Sequence, residues 1–201
     1  MSDLILLRHG QSQWNLENRF TGWVDVPLSA KGEDEARAAG EKLRGRRIDV
    51  VYTSVLKRAI DTATRALATA DIRDVPIVRD AALNERMYGD LQGLNKAEAA
   101  QKWGDEQIRQ WRRSYDVKPP GGESLADTAA RVLPYWDRHV LPDVKAGKNV
   151  LVAAHGNSLR ALVMHLDGLD REQVLQLEIP TGAPLLYDMA PDGRALGKRY
   201  L

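Results

Sequence analysis

Two stretches of sequence decide the fold of this chain: Leu4-Ile5-Leu6-Leu7-Arg8-His9-Gly10 and Val150-Leu151-Val152-Ala153-Ala154-His155-Gly156. Each is a short apolar run that ends in His-Gly. Continuous apolar runs bounded by glycine are typical of strands that are buried on both faces of a parallel sheet. Ligands of open α/β sheets bind at the carboxyl ends of such strands. We therefore expect each strand to deliver a histidine to that edge of the sheet.

Helical patterns alternate with these and other strand candidates. The predicted helices are 36–43 behind the N-cap Ser29, 56–67 behind the N-cap Ser54, 125–140 behind the capping box Ser124-x-x-Asp127, and 159–166 directly after His155-Gly156. Pro134 predicts a kink in the third of these helices. Further strands are expected over 48–52 and 184–189. The alternation predicts a three-layer α/β/α sandwich around a mostly parallel sheet.

Two segments do not follow this alternation. The stretch 20–28 is rich in Gly, Pro and Asp, and it is predicted to be a loop with an exposed Trp23. The stretch 84–122 is expected to be an insertion of short helices that folds over the edge of the sheet. We therefore expect a single domain over 1–201 with an insertion at about 84–122.

The composition excludes several functional classes. A net charge of +1, from 29 Lys and Arg against 28 Asp and Glu, removes the electrostatic case for a general nucleic-acid or membrane-surface binder. The longest apolar run, 150–154, is far shorter than a membrane span, and 1–7 lacks the basic segment of a signal peptide. The absence of cysteine excludes thiolate chemistry and is compatible with the cytoplasm, which is the predicted location.

The two His-Gly turns have the chemistry of a phosphate site. Glycine after each histidine lets a ligand approach main-chain N–H groups, and a helix N-terminus after the turn favours anions. Arg8 adds a fork of donors that matches phosphate oxygens. A single histidine at a strand end is more often structural, but two in the same setting favour function. His139 and His165 lie inside helical patterns and are expected to be structural.

Longer motifs around these residues resemble those of the histidine phosphatase superfamily and, within it, the cofactor-dependent phosphoglycerate mutases. The resemblance runs from Leu4 to about Tyr187, and its motifs are Arg8-His9-Gly10-Gln11-Ser12-Gln13-Trp14-Asn15, Phe20-Thr21-Gly22-Trp23, Tyr52-Thr53-Ser54-Val55-Leu56-Lys57-Arg58-Ala59, Asn84-Glu85-Arg86-Met87-Tyr88-Gly89, Leu91-Gln92-Gly93-Leu94-Asn95-Lys96, Gln110-Trp111-Arg112-Arg113 and Ala153-Ala154-His155-Gly156-Asn157-Ser158-Leu159-Arg160. General phosphatases of the superfamily share the two His-Gly motifs but usually not the Trp-Arg-Arg or Leu-Asn-Lys segments.

The resemblance implies a role for each matching residue. His9 would be the nucleophile that carries a phosphoryl group, and Glu85 would exchange a proton with the substrate hydroxyl. The implied catalytic residues are Arg8, His9, Arg58, Glu85 and His155. The implied substrate-binding residues are Arg8, His9, Gly10, Gln11, Ser12, Gln13, Trp14, Asn15, Thr21, Gly22, Arg58, Glu85, Arg86, Met87, Tyr88, Lys96, Arg112, Arg113, Gly156 and Asn157. Of these, Tyr88, Lys96, Arg112 and Arg113 would hold the distal carboxylate or second phosphate.

The resemblance also implies the reaction and the partners. The implied reaction is the interconversion of 3-phosphoglycerate and 2-phosphoglycerate, with 2,3-bisphosphoglycerate as the phosphoryl primer. No metal, nucleic acid or membrane is expected to take part. A homodimer is left open.

Three departures from the longest members of the family bear on water exclusion. The segment 119–123 replaces a much longer loop, little of a C-terminal tail follows Tyr187, and Met87 stands where some members have histidine. Two alternatives therefore stay open: a phosphatase of the same superfamily, and a non-catalytic phosphate-binding protein on the same fold.

Overall fold

The computed structural model describes residues 1–201 and contains one sheet of six strands flanked by helices. The strands are β1 (Ser2–Arg8), β2 (Val50–Thr53), β3 (Ile77–Arg79), β4 (Val150–Ala154), β5 (Leu185–Met189) and β6 (Ala195–Tyr200). The helices are α1 (Gln13–Leu16), α2 (Ala30–Leu43), α3 (Lys57–Thr69), α4 (Lys96–Trp103), α5 (Asp105–Arg113), α6 (Leu125–Tyr135), α7 (Leu141–Lys145), α8 (Gly156–Asp167) and α9 (Arg171–Gln176). Short 3₁₀ turns cover Ala81–Leu83 and Gly89–Leu91, and a π-helical turn covers Trp136–Val140.

The strand order is β3-β2-β4-β1-β5-β6. Strands β3, β2, β4 and β1 pair in parallel, whereas β5 and β6 are added antiparallel at one side, so the predicted mostly parallel sheet is confirmed. In the register of the central strands, Arg8 of β1 lies opposite Ala154 of β4. The residues that follow these two positions, His9 and His155, therefore leave the sheet side by side.

Alternating residues of β1 enter different cores, because successive side chains of a strand point to opposite faces. Leu4 and Leu6 pack in a cluster with residues of α6, α7 and α8, and Ile5 and Leu7 pack in a second cluster with residues of α2 and α3. All four side chains are buried, and burial of each contributes about 1.5–3 kcal/mol. Helices on both faces confirm the predicted three-layer sandwich.

The predicted helices are present, with one correction at a cap. Ser29 caps α2 and the Ser124–Asp127 capping box opens α6, as expected. Ser54, however, does not cap α3: the N-cap residue is Leu56, which offers no side-chain bond. The Ser54 hydroxyl is instead engaged with His155, at 2.7 Å from its Nε2. It also accepts from the backbone N–H of Leu56 at 3.2 Å. The prediction was wrong because α3 begins only after Leu56, so this bond precedes the helix and does not cap it.

The helix predicted over 125–140 does not continue as one regular α-helix. After Pro134 the chain forms the π-helical turn Trp136–Val140 before α7 begins. Proline lacks the N–H of a regular helical turn, and a wider turn accommodates that loss. Strands β3 and β6 were not predicted: β3 has three residues, and β6 is an edge strand with little buried surface.

The segment 84–122 contains the short helices α4 and α5, and these helices help to form a small core. Residues of α4 and α5 pack there with Phe20 and Leu91, and Trp103 and Trp111 meet edge to face with ring centroids 5.8 Å apart. The neighbouring segment 20–28 is a loop, but Trp23 is half-buried and not exposed. Its indole N–H donates to the Glu85 carbonyl at 2.6 Å. None of the helices combines the length and apolar character needed to cross a bilayer.

Candidate active site

The floor of the site is built from the ends of the central parallel strands. The backbone N–H of His9 donates to the carbonyl of Ala154 at 3.0 Å, which holds the end of β1 against the end of β4. The rings of His9 and His155 lie edge to face with centroids 5.0 Å apart. The predicted convergence of the two His-Gly turns is therefore present.

His9 is held as a neutral imidazole with one free nitrogen. Its Nδ1 lies 2.6 Å from the Gly10 carbonyl, which can only accept, so Nδ1 carries the proton and Nε2 keeps its lone pair. Burial lowers the pKa of His9 well below its ordinary value of 6.5, and the charges of Arg58 and Arg8 lower it further. An unprotonated Nε2 in this setting is a competent nucleophile at neutral pH.

His155 supports His9 from behind. It is fully buried and does not itself line the cavity, and its Nε2 lies 2.7 Å from the Ser54 hydroxyl. Its pKa is also lowered well below 6.5, by burial first and then by Arg58 and His9. Its backbone N–H donates to Ser158 Oγ at 3.1 Å, and α8 begins at the next residue.

Two arginines lie beside His9 with their orientation fixed by main-chain carbonyls. Arg58 of α3 is buried and donates to Gly22 at 2.7 Å and to Val24 at 3.0 Å. Burial lowers its pKa to about 10, which still leaves it charged at neutral pH. Arg8 donates to the Ile179 carbonyl at 2.8 Å, and its Nε is buried without a protein partner.

Gly156 lies against Arg8 at the first turn of α8. A Cβ at this position would lie 3.4 Å from both Cζ and Nε of Arg8, at the near edge of ordinary van der Waals contact. A side chain here would therefore pack directly on the Arg8 guanidinium.

Glu85 presents one carboxylate oxygen that is fixed and one that is free. Its Oε1 accepts from the backbone N–H of Arg86 at 2.8 Å and from that of Asn157 at 3.1 Å. The second bond comes from the first turn of α8, where N–H groups point outward. With Oε1 held, Oε2 is left to interact with a hydroxyl in the cavity.

A second group of cations comes from the insertion. Lys96 begins α4, whereas Arg112 and Arg113 end α5, and all three line the same cavity as His9. Burial lowers the pKa of Lys96 to about 8, and the charges of Arg112 and Arg8 add to this effect. The positive charges that line the cavity outnumber its two carboxylates, Glu85 and Glu178, and so raise one another's energy. An anion in the cavity would relieve this repulsion.

The cavity contains most of the residues expected from the sequence. Its lining is Arg8, His9, Asn15, Arg19, Phe20, Thr21, Gly22, Arg58, Glu85, Tyr88, Lys96, Arg112, Arg113, Gly156, Asn157, Arg160 and Glu178. Arg19, Phe20, Arg160 and Glu178 were not predicted. Arg160 lies three residues after Asn157 on α8, so helical periodicity would have placed it on the same face. No sequence signal points to Glu178.

Seven residues of the predicted binding set do not line the cavity: Gly10, Gln11, Ser12, Gln13, Trp14, Arg86 and Met87. Ser12 instead caps α1 through reciprocal bonds with Asn15. A Cβ at Gly10 would lie 2.2 Å from the backbone oxygen of Gly32, so this glycine serves close packing against α2. Arg86 is buried and donates to the carbonyls of Trp111 and Glu123, away from any ligand.

The donor set of the site is unlike that of a metal centre. No group of three or more His, Cys, Asp or Glu residues in the chain is arranged to hold a metal ion. The buried polar atoms that have no protein partner include Thr21 Oγ1, Arg8 Nε and His155 Nδ1. Such atoms, together with the free cations, suit the oxygens of a phosphate or carboxylate.

A buried neutral histidine with a free Nε2, a second buried histidine and two fixed arginines form a site on an α/β sandwich whose chemistry suits a phosphoryl group. The chain belongs to the histidine phosphatase superfamily (branch 1), whose family model matches residues 4–199.

Two relatives of nearly the same length are both named as mutases. A 2,3-bisphosphoglycerate-dependent phosphoglycerate mutase from Chelativorans sp. (strain BNC1) is 56% identical over 200 residues, which cover 98% of this chain and 97% of that protein. The mutase of Methylobacterium radiotolerans is 57% identical over 200 residues, covering 98% and 94%.

Similar solved structures are more distant in sequence. The α-ribazole phosphatase of Shigella flexneri has a TM-score of 0.85 at 26% identity, covering 99% of this chain and 95% of that one. A mycobacterial glucosyl-3-phosphoglycerate phosphatase has a TM-score of 0.84 at 28% identity, covering 100% and 97%.

Proposed function

We propose that this protein is a 2,3-bisphosphoglycerate-dependent phosphoglycerate mutase, which interconverts 3-phosphoglycerate and 2-phosphoglycerate in glycolysis and gluconeogenesis. The observation that carries this proposal is the placement of two groups of cations around one cavity: Arg8 and Arg58 beside His9, and Lys96, Arg112 and Arg113 on the insertion. A phosphatase needs one phosphate site and a water molecule. A mutase must hold a three-carbon acid by both of its anionic ends, in two orientations.

In the proposed reaction, 2,3-bisphosphoglycerate supplies the phosphoryl group that primes His9. The phosphoryl group on His9 Nε2 is attacked by the 2-hydroxyl of 3-phosphoglycerate: an O–P bond forms, the N–P bond breaks, and Glu85 accepts the hydroxyl proton. After the bound molecule reorients, His9 Nε2 attacks its 3-phosphate. The N–P bond forms again, the C3 oxygen leaves, and Glu85 returns the proton to it.

Each residue contributes a property that the geometry supports. The lowered pKa of His9 keeps Nε2 unprotonated for attack. Arg8 and Arg58 stabilise the negative charge on the phosphoryl oxygens during transfer, because their guanidinium groups are oriented before the substrate arrives. His155 packs against the nucleophile and is proposed to contact the phosphoryl group through its unpartnered Nδ1. The insertion is proposed to limit the access of water.

The test is conversion of 3-phosphoglycerate by purified, dephosphorylated protein, with and without trace 2,3-bisphosphoglycerate, while free phosphate is followed. We expect fast interconversion that depends on the bisphosphate, with little phosphate released. His9→Ala should abolish both the phosphoenzyme and the activity, whereas the matched His165→Ala, at an exposed position on α8, should leave both unchanged. Phosphate release without interconversion would indicate a phosphatase instead.

The remaining expectations about the whole molecule stand as proposals. We propose that residues 1–201 form one domain with an insertion at 84–122, that the protein acts in the cytoplasm, and that its ligands are small phosphorylated acids and not nucleic acids or membranes. A homodimer is a further expectation, which light scattering at several protein concentrations would test.

A further inference from the structure

The segment that carries Glu85 has no regular backbone structure. It lies between the 3₁₀ turns Ala81–Leu83 and Gly89–Leu91, and residues 85–88 belong to neither. Backbone polar groups in such a segment must find partners elsewhere, because burying them unpaired costs about 1–3 kcal/mol each. The position of the Glu85 carboxylate therefore depends on what binds this segment from outside.

One side chain, Arg131 of α6, binds the main chain both just before this segment and at Glu85 itself. Its Nη1 donates to the carbonyls of Ala82 at 2.8 Å and Asn84 at 2.9 Å. Its Nη2 donates to the carbonyl of Glu85 at 2.8 Å. One guanidinium thus binds three carbonyls of the segment that leads into and includes Glu85.

Glu123 completes this arrangement from the other side. Its carboxylate accepts from Arg131 Nε and Nη2, both at 2.9 Å, and from the backbone N–H of Met87 at 3.1 Å. The ion pair of Arg131 and Glu123 is largely shielded from water, with about a fifth of each side chain exposed. Although burial alone would raise the pKa of Glu123, the bonds from Arg131 and Met87 outweigh it and hold the pKa below its ordinary value.

These contacts use every donor that Arg131 has. The five N–H groups of a guanidinium match the five bonds: two to Glu123 and one each to Ala82, Asn84 and Glu85. No donor is left for a ligand, and Arg131 does not line the cavity. Lysine, with three donors on one atom, cannot reproduce this planar arrangement.

We propose that Arg131 and Glu123 are positioning residues that set the place of the Glu85 carboxylate, and so the rate of proton transfer in the mutase reaction. The inference rests on the proposed function, in which Glu85 exchanges a proton with the substrate hydroxyl. The Glu85 carbonyl accepts from Arg131 and also from the indole N–H of Trp23, and its Oε1 accepts from two backbone N–H groups. These bonds leave the other carboxylate oxygen, Oε2, little freedom to move. A displacement of about 1 Å in a reacting group can cost on the order of 100-fold in rate.

The first experiment measures kcat and KM for 3-phosphoglycerate in Arg131→Lys and Glu123→Gln. We expect kcat to fall roughly 10- to 100-fold while KM changes less than about threefold, because the cations that bind the substrate are untouched. Arg138→Lys, a matched change at an exposed position on the π-helical turn, should alter neither value. A rise in KM with unchanged kcat would overturn the inference. If Arg131→Lys does not fold, as judged by thermal unfolding, Glu123→Gln still provides the test.

The second experiment asks whether the effect passes through Glu85. Arg131→Lys is combined with Glu85→Gln, and the two single changes are compared with the pair. If Arg131 acts by positioning Glu85, adding Arg131→Lys to the Glu85→Gln enzyme lowers kcat further by less than about threefold. Independent, multiplicative effects would overturn the positioning role while leaving the proposed function intact. If Glu85→Gln alone leaves the rate unchanged, the proposed role of Glu85 fails instead.

Discussion

The two buried histidines should make this protein lose stability in mild acid, before its carboxylates are protonated. His9 and His155 are 2% and 0% exposed, and burial with the nearby Arg58 lowers both pKa values well below 6.5. An unfolded chain takes up protons on these rings as the pH falls through about 6.5, whereas the folded chain does not. The stability that the neutral rings contribute is therefore present above pH 6.5 and is lost below it.

The size of the loss follows from proton linkage. Between pH 7.5 and pH 5.5, a histidine that stays neutral in the folded state and titrates near 6.5 when unfolded lowers the free energy of unfolding by roughly 1.4 kcal/mol. Two such residues lower it by about 2.7 kcal/mol, a large share of the 5–15 kcal/mol typical of whole domains.

The assay is urea unfolding at both pH values, with wild type compared with His9→Gln/His155→Gln. Protonation of carboxylates changes the free energy of unfolding of both proteins alike, so its contribution cancels in the comparison. We expect wild type to lose about 2.7 kcal/mol more than the double variant between pH 7.5 and pH 5.5. The control is His165→Gln, at an exposed position on α8, and it should behave as wild type. Equal losses in wild type and the His9→Gln/His155→Gln protein would refute the reasoning.

Two further predictions concern the cations of the insertion. Since the pKa of Lys96 is about 8, its charge is present below that pH and lost above it. In initial-rate measurements, KM for 3-phosphoglycerate should therefore rise between pH 7 and pH 9. Lys96→Arg, which keeps the charge, should flatten this rise. Glu178 Oε1 lies 3.0 Å from Arg113 Nη1 and competes with a substrate anion for that charge. Because Glu178 is mostly exposed and its attraction is screened, Glu178→Gln should lower KM only about two- to fourfold, and an unchanged or higher KM would contradict this competition.

The elements that could be predicted are those whose signal lies in consecutive residues. β4 coincides with its apolar run, and the capping box at Ser124 opens α6 where expected. Strand β6 could not be found in this way. Most of its residues are exposed, and it exists because its backbone pairs with β5 at the edge of the sheet. Since that pairing needs no buried side chains, it leaves no hydrophobic pattern in the sequence.

The residues of the candidate site likewise include some that could be predicted from the sequence and some that could not. The convergence of His9 and His155 followed from two parallel strands that end in His-Gly, and the resemblance supplied most of the other cavity residues. Arginines were harder to assign: Arg86 belongs to a recognised motif but donates only to carbonyls, whereas Arg160 lines the cavity unpredicted. A guanidinium can donate to a main-chain carbonyl as well as to a phosphate, so the residue type alone does not say which of the two an arginine binds.

The sequence by itself thus determined the parallel sheet, the N-caps of α2 and α6 and the two histidines at one sheet edge, because strand burial and helix capping are encoded over a few neighbouring residues. Only the tertiary structure decided that Ser54 binds His155 and that Arg131 holds the segment of Glu85. These partners are 101 and 46 residues apart in the chain. Which polar groups meet across such separations depends on how whole elements pack, and no local pattern records it.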